Sequence, residues 1–178
     1  MRRIVSAALA VLAVTTINAN HARAANYASE YSVSAFGLRI ASTSFQSTID
    51  GSSYTVNATM RARGVARLFT TTAGTLNASG AIGGGTVQSG KFDVRYTDNG
   101  RDKRTLIAFS GGRVTSASNT PAVTKGDDWI EPTPAQLSGV LDPIGAMLVP
   151  APSLRQVCAR TISTFSGALR ADLKMSYL

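Results

Sequence analysis

The stretch Asp50-Gly51-Ser52-Ser53-Tyr54-Thr55-Val56-Asn57-Ala58-Thr59-Met60 decides the fold class. Tyr54, Val56, Ala58 and Met60 alternate with small polar residues, so the apolar set falls on one face of a half-buried strand. Asp50-Gly51 supplies the positive-φ chemistry of a tight hairpin turn. Leu38 to Ile49, rich in Ile, Phe, Ser and Thr, suits the partner strand before that turn.

The same pattern continues outward. Tyr31, Val33 and Ala35 form an earlier strand, and Phe92, Val94 and Tyr96 alternate with Asp93, Arg95 and Thr97 ahead of an Asn99-Gly100 turn. Thr105 to Phe109 and Arg113 to Ala117 flank Gly111-Gly112. Leu169, Ala171, Leu173, Met175 and Tyr177 alternate again near the end. The expected fold is mainly β: a curved, partly closed antiparallel sheet, an open barrel or spiral. Gly80 to Gly90, with its many glycines, reads as a mobile loop or loosely held edge, and Gly64 to Phe69 as a helical turn or bulge.

One segment breaks the period. Thr133 and Asp142 are good N-cap residues, each followed by proline at the first helical position. Pro134 to Val149 therefore predicts a two-helix insertion whose helices meet at Asp142, because Pro143 interrupts a single one. Leu137, Val140, Leu141, Ile144 and Leu148 give it an apolar stripe. That stripe either packs as plain core or lines an apolar groove against the sheet.

The chain has 178 residues, 44% of them hydrophobic and 16% charged, with a net charge of +8. This excludes the composition of a disordered chain and fits one domain. Met1-Arg2-Arg3, an apolar run from Ile4 to Ile17 and Ala22-Arg23-Ala24 have the layout of a Sec-type signal peptide. The apolar run is shorter than the ~20 residues of a spanning helix. Residues 1–24 are thus expected to be a leader and 25–178 a single β-rich periplasmic domain with no transmembrane anchor. Loss of Arg2, Arg3 and Arg23 would lower the charge from +8 to +5.

Cleavage would also remove His21, the single histidine. Without imidazole, Ser-His-Asp triads, His-activated cysteines and the usual catalytic zinc sites are excluded. No cofactor or metal is expected, and metal-free carboxylate chemistry survives this exclusion. Gly83-Gly84-Gly85 lacks the Gly-Lys-Ser/Thr ending of a phosphate loop. Asp127, Asp128 and Glu131 are the densest acidic group, around Trp129, with spacing unlike a calcium loop. With Asp142 they are the candidates for an alternative reading as a carboxylate-dependent hydrolase. Arg61, Arg63 and Arg67, and separately Arg101, Lys103 and Arg104, could contact anionic groups or dock on another envelope protein. They lack the interleaved aromatics of a nucleic-acid surface. Cys158 is the single cysteine, which in an oxidising compartment suggests an intermolecular bond, a free thiol or a partner beyond this chain. The alternation still running at Leu178 suggests a strand that continues.

The order of these features resembles a known family. It comprises Tyr31, Gly37-Leu38, Arg63-Gly64-Val65-Ala66-Arg67-Leu68-Phe69 and the basic hairpin Arg101 to Arg104. Asp142-Pro143-Ile144-Gly145-Ala146-Met147-Leu148, Cys158 and Phe165-Ser166-Gly167-Ala168-Leu169-Arg170 follow. The pattern is similar to the bacterial periplasmic family of domain of unknown function 3108. Members usually carry Asp where this chain has Ser166, and tend to continue to a second cysteine. The family looks similar to lipoprotein-carrier and sigma-regulator proteins, in which a curved sheet wraps a helix and leaves an apolar groove. The resemblance implies a cell-envelope binding or scaffolding protein rather than an enzyme, and a curved sheet beneath Leu137 to Leu148 is expected to hold an apolar ligand such as an acyl chain or lipopeptide. It implies no catalytic residues.

Overall fold

The computed structural model describes residues 24–68, 72–148, 150–151 and 153–176. Residues 1–23 of the expected leader, Phe69, Val149 and Tyr177 lie outside the described residues.

Seven strands follow one another: β1 (Ala25–Ala35), β2 (Leu38–Asp50), β3 (Ser53–Ala62), β4 (Ala73–Gly83), β5 (Thr86–Asp98), β6 (Arg101–Ser110) and β7 (Arg113–Thr120). Each pairs antiparallel with its sequence neighbour, giving one sheet in the order β1 to β7. This is the meander that the alternation predicts. The sheet is not closed, since β1 and β7 are its two edges rather than partners. The partly closed barrel expected from sequence is therefore corrected to an open sheet. A separate hairpin, β8 (Thr161–Phe165) and β9 (Arg170–Lys174), and a four-residue helix, α1 (Leu154–Val157), complete the chain.

The register puts Tyr54, Val56 and Ala58 of β3 beside Ala78 of β4, Phe92 of β5, and Ile107 and Phe109 of β6 on one face. Val140, Ile144 and Phe165 close over that face and complete the core. The other face is largely Ser, Thr and Asn, with cross-strand hydrogen bonds such as Ser44–Thr59 (2.7 Å) and Asn77 to Asn57 (2.6 Å). Period-2 alternation divides apolar from polar side chains between the two faces.

The two-helix insertion does not form. Residues 131–148 make an extended strap with one 3₁₀ turn, Gly145–Met147. The cause is competition for backbone groups. Val114 donates to the Leu137 carbonyl and Gly139 to that of Gly112, so the strap extends the β7 edge. Further on, Leu141 donates to Ser163 and accepts from Phe165 of β8. Helices this short are unstable alone, and partners already in the sheet outbid them. Thr133 still caps a turn, its hydroxyl accepting from Gln136 N–H at 3.4 Å.

The glycine-rich stretch is not a loose edge but an ordered hairpin between β4 and β5. A Cβ at Gly80 would overlap the Gln88 carbonyl oxygen and approach the Tyr54 ring at 2.7 Å. Gly80 is there because the Tyr54 ring occupies the space a side chain would need.

Candidate functional site

The strap is fixed by a buried carboxyl. Asp142 is fully buried. Its Oδ1 accepts from the backbone N–H of Ile144 (2.8 Å) and Gly145 (3.0 Å), the N-cap geometry expected from sequence. Its Oδ2 accepts from the Ser89 hydroxyl of β5 and from the Tyr54 hydroxyl of β3 at 3.4 Å. Ser89 Oγ in turn accepts from the Asp142 N–H at 2.8 Å. A Cβ on Gly145 would lie 2.8 Å from Ser89 Oγ and 2.9 Å from Asp142 Oδ2, so glycine is required there. Burial, then the neighbouring Asp142 charge, pushes the Tyr54 phenol up to about 12. Asp142 thus pins the strap to the sheet from beneath.

Beside this pin lies an apolar cavity of about 400 Å³, in the ~300–1,000 Å³ range of small-molecule pockets. On the packed face it is walled by Phe45 of β2, Ala58 and Met60 of β3, Leu76 of β4, Val94 of β5 and Ile144 of the strap. Thr43, Thr59, Thr75, Arg95 and Tyr96 also line it, and the surface exposed to the cavity is almost entirely carbon.

Of the strap stripe, Ile144 alone borders this cavity. Val140 is 1% exposed and belongs to the core, with Leu137 and Leu148 packed against it. Val140, Leu141 and Leu148 instead line a separate depression with Ile162 and Ser163 of β8. Of the sheet residues, Val94 was read from sequence only as part of an alternating strand, and Phe45 and Leu76 were not named. Their alternation was the available signal, but it marks core and cavity walls alike.

The charged candidates separate. Arg61 lies on β3, and Arg63 donates from Nε to Ser42 Oγ at 2.9 Å. Arg67 is exposed in the 3₁₀ turn Gly64–Leu68. Arg104 and Arg95 both fork onto Asp93, with Arg104 Nη2 at 2.7 Å and Arg95 Nη2 at 3.1 Å. The Arg104 hydrogen bonds hold the Asp93 carboxyl well below the usual carboxylate range. Lys103 pairs with Asp98 at 3.1 Å and lies over the Tyr96 ring.

Glu131 accepts from Lys125 and from Trp129 Nε1, and the Lys125 bond lowers its pKa. Asp127 and Asp128 are exposed in the preceding loop. Glu131 belongs to a depression with Val114, Trp129 and Leu137, whereas Asp142 lies under the strap against β3 and β5. The structure does not bring these acids together. Among the described residues no group of three or more His, Cys, Asp or Glu is placed to hold a metal ion. Cys158 is half-buried and unbridged, beside Arg155 and Arg160. Among the described residues, no helix is long and apolar enough to cross a membrane.

Fold and site together define a mainly-β protein whose open antiparallel sheet carries a strap anchored by Asp-Pro-Ile-Gly next to an apolar cavity. The model of a family described as protein of unknown function (DUF3108) matches residues 30–178. The chain belongs to that family. No curated protein and no solved structure matches it.

Proposed function

We propose that this protein is an exported, non-enzymatic binding protein of the periplasm that holds an acyl chain or lipopeptide against the strap-bearing face of its sheet. The observation that carries the reading is the cavity formed by Phe45, Ala58, Met60, Leu76, Val94 and Ile144. Such a wall offers dispersion contacts and hydrophobic gain to a hydrocarbon chain, with few groups to orient a polar one. Its floor is sheet and its side is a strap tied down by Asp142, so the space does not simply collapse. The leader-like N-terminus and the family's expected similarity to lipoprotein-carrier and sigma-regulator proteins are consistent with a role in envelope maintenance.

The test is displacement of a fluorescent long-chain fatty acid, together with mass spectrometry of organic extracts of the exported protein. The wild type is expected to bind the probe and to yield co-purified lipid. Ala58→Leu and Leu76→Trp, which fill the cavity, should abolish both while leaving the circular dichroism spectrum unchanged. Probe binding unaltered in both variants, or no lipid and no probe binding in the wild type, overturns the reading.

A further inference from the structure

One end of the sheet combines basic residues with exposed apolar ones. At the end holding the β1–β2 and β5–β6 turns, the described residues from the Tyr31–Thr43–Met60–Gly74–Tyr96–Lys103 row outward carry Arg39, Arg61, Arg63, Arg67, Arg101 and Lys103. Against these six cations stand Asp98 and Asp102, so these segments carry +4, while the loop that leaves β7 beside Arg104 brings Lys125 against Asp127, Asp128 and Glu131. At the opposite end the turns 50–53, 83–86 and 110–113 carry Asp50 and Arg113, and Arg160 lies against Gly85, Thr86 and Gly112, so charge alone does not distinguish the ends.

The basic end also projects apolar side chains. Phe36 at the β1–β2 turn is fully exposed, and Leu38 and Val33 beside it are about half exposed. Folding does not explain Phe36. The β1–β2 turn has φ +51° at Phe36 and +76° at Gly37, and the β5–β6 turn has +49° at Asn99 and +77° at Gly100. Two hairpins therefore use the same left-handed pair of conformations. One fills it with Asn-Gly, the residues that tolerate it best, and the other puts a bulky aromatic in a conformation that side chains of its kind disfavour. Among the described residues, Phe36 gains no burial in return.

We infer that this end of the sheet docks on a bilayer surface containing anionic phospholipid, with Phe36 and Leu38 entering the interface and the arginines facing the headgroups. An exposed aromatic tip on the same sheet end as several cations is the combination such a surface rewards, through burial of the tip and charge attraction. A soluble polyanion without apolar groups would satisfy the arginines but would leave Phe36 in water. The inference rests on the sheet end and does not depend on the cavity holding a lipid.

The test is co-sedimentation of the full chain with vesicles of equal parts phosphatidylglycerol and phosphatidylcholine, and with vesicles of phosphatidylcholine alone. The N-terminal segment is common to all variants, so a difference between them belongs to the sheet end. Binding to the anionic vesicles is expected, weakened by salt. Phe36→Asn should lower the partition coefficient about tenfold while the thermal midpoint holds or rises, since Asn suits the turn. Arg61→Gln and Arg67→Gln should each lower it about fivefold. Equal partitioning of wild type and Phe36→Asn overturns the inference. So does binding to dextran sulfate in place of the vesicles, which makes the partner a soluble polyanion.

Discussion

Asp142 is a carboxyl held under a strap by four neutral donors, and its replacements should separate two effects. In Asp142→Asn the Oδ1 role survives, and the Ser89 and Tyr54 hydroxyls can turn to accept from the new amide. The expected cost is about 1–2 kcal/mol. Asp142→Ala leaves two amides and two hydroxyls unpaired in the core, at about 3–5 kcal/mol. Urea denaturation measures both, and near-equal losses would show that the hydrogen bonds do not anchor the strap. Tyr54 adds a pH dependence. Its folded pKa of about 12 lies above the unfolded value of about 10. The native state therefore keeps a proton that the unfolded chain loses. The stabilisation is complete below pH about 10 and disappears as pH rises toward about 12. Tyr54→Phe should flatten this alkaline fall in the urea midpoint relative to the wild type, while costing about 1 kcal/mol at neutral pH.

The strands depend on how register and bulges place single residues. Gly80 pairs with Ser89, although one strand-step earlier Ser79 pairs with Lys91, so Gly90 is an extra residue on β5. That bulge turns Ser89 onto the packed face, where it meets Asp142. A side chain at position 80 would meet the Gln88 carbonyl and the Tyr54 ring, so Gly80→Ala should cost about 1–3 kcal/mol in a thermal melt. On the opposite face, the Asp93–Arg104 fork joins β5 to β6. With its folded pKa depressed, Asp93 stabilises the protein above the unfolded value of about 4, and this is lost as pH falls below it. Asp93→Asn should flatten that acid limb, and Arg104→Ala should flatten it too, since the guanidinium that lowers the Asp93 pKa is gone. The strands and turns were legible in the alternation and in Asp50-Gly51 and Asn99-Gly100, because both signals are local. The strap was not. Thr133 and Asp142 do cap turns, but whether helices follow was decided by carbonyls and amides on β7 and β8, some 25 residues away along the chain. Gly90 inside a strand was the one local hint that Ser89 turns inward.

The molecule as a whole is covered unevenly. The strap and β8 lie over β3 to β6, where Tyr54, Val56, Ala78, Phe92 and Ile107 are buried. The same face of β1 presents Tyr27, Tyr31 and Val33 about half exposed, with Tyr31 held edge-on to Phe45 at 5.7 Å. β1 is also an edge strand, paired on one side only. Its eleven residues are therefore held by one ladder and little burial, which places it at the low end of local stability. Hydrogen exchange under native conditions should show the β1 amides bonded to β2 opening well before those of β4 and β5. The latter, bonded on both sides and under the strap, should exchange only through global unfolding. This ordering should hold at every protein concentration if the exposed face of β1 meets only water. β1 protection that rises with concentration would instead mean that copies of the chain pair along this edge, as an uncovered strand with an apolar face is prone to do.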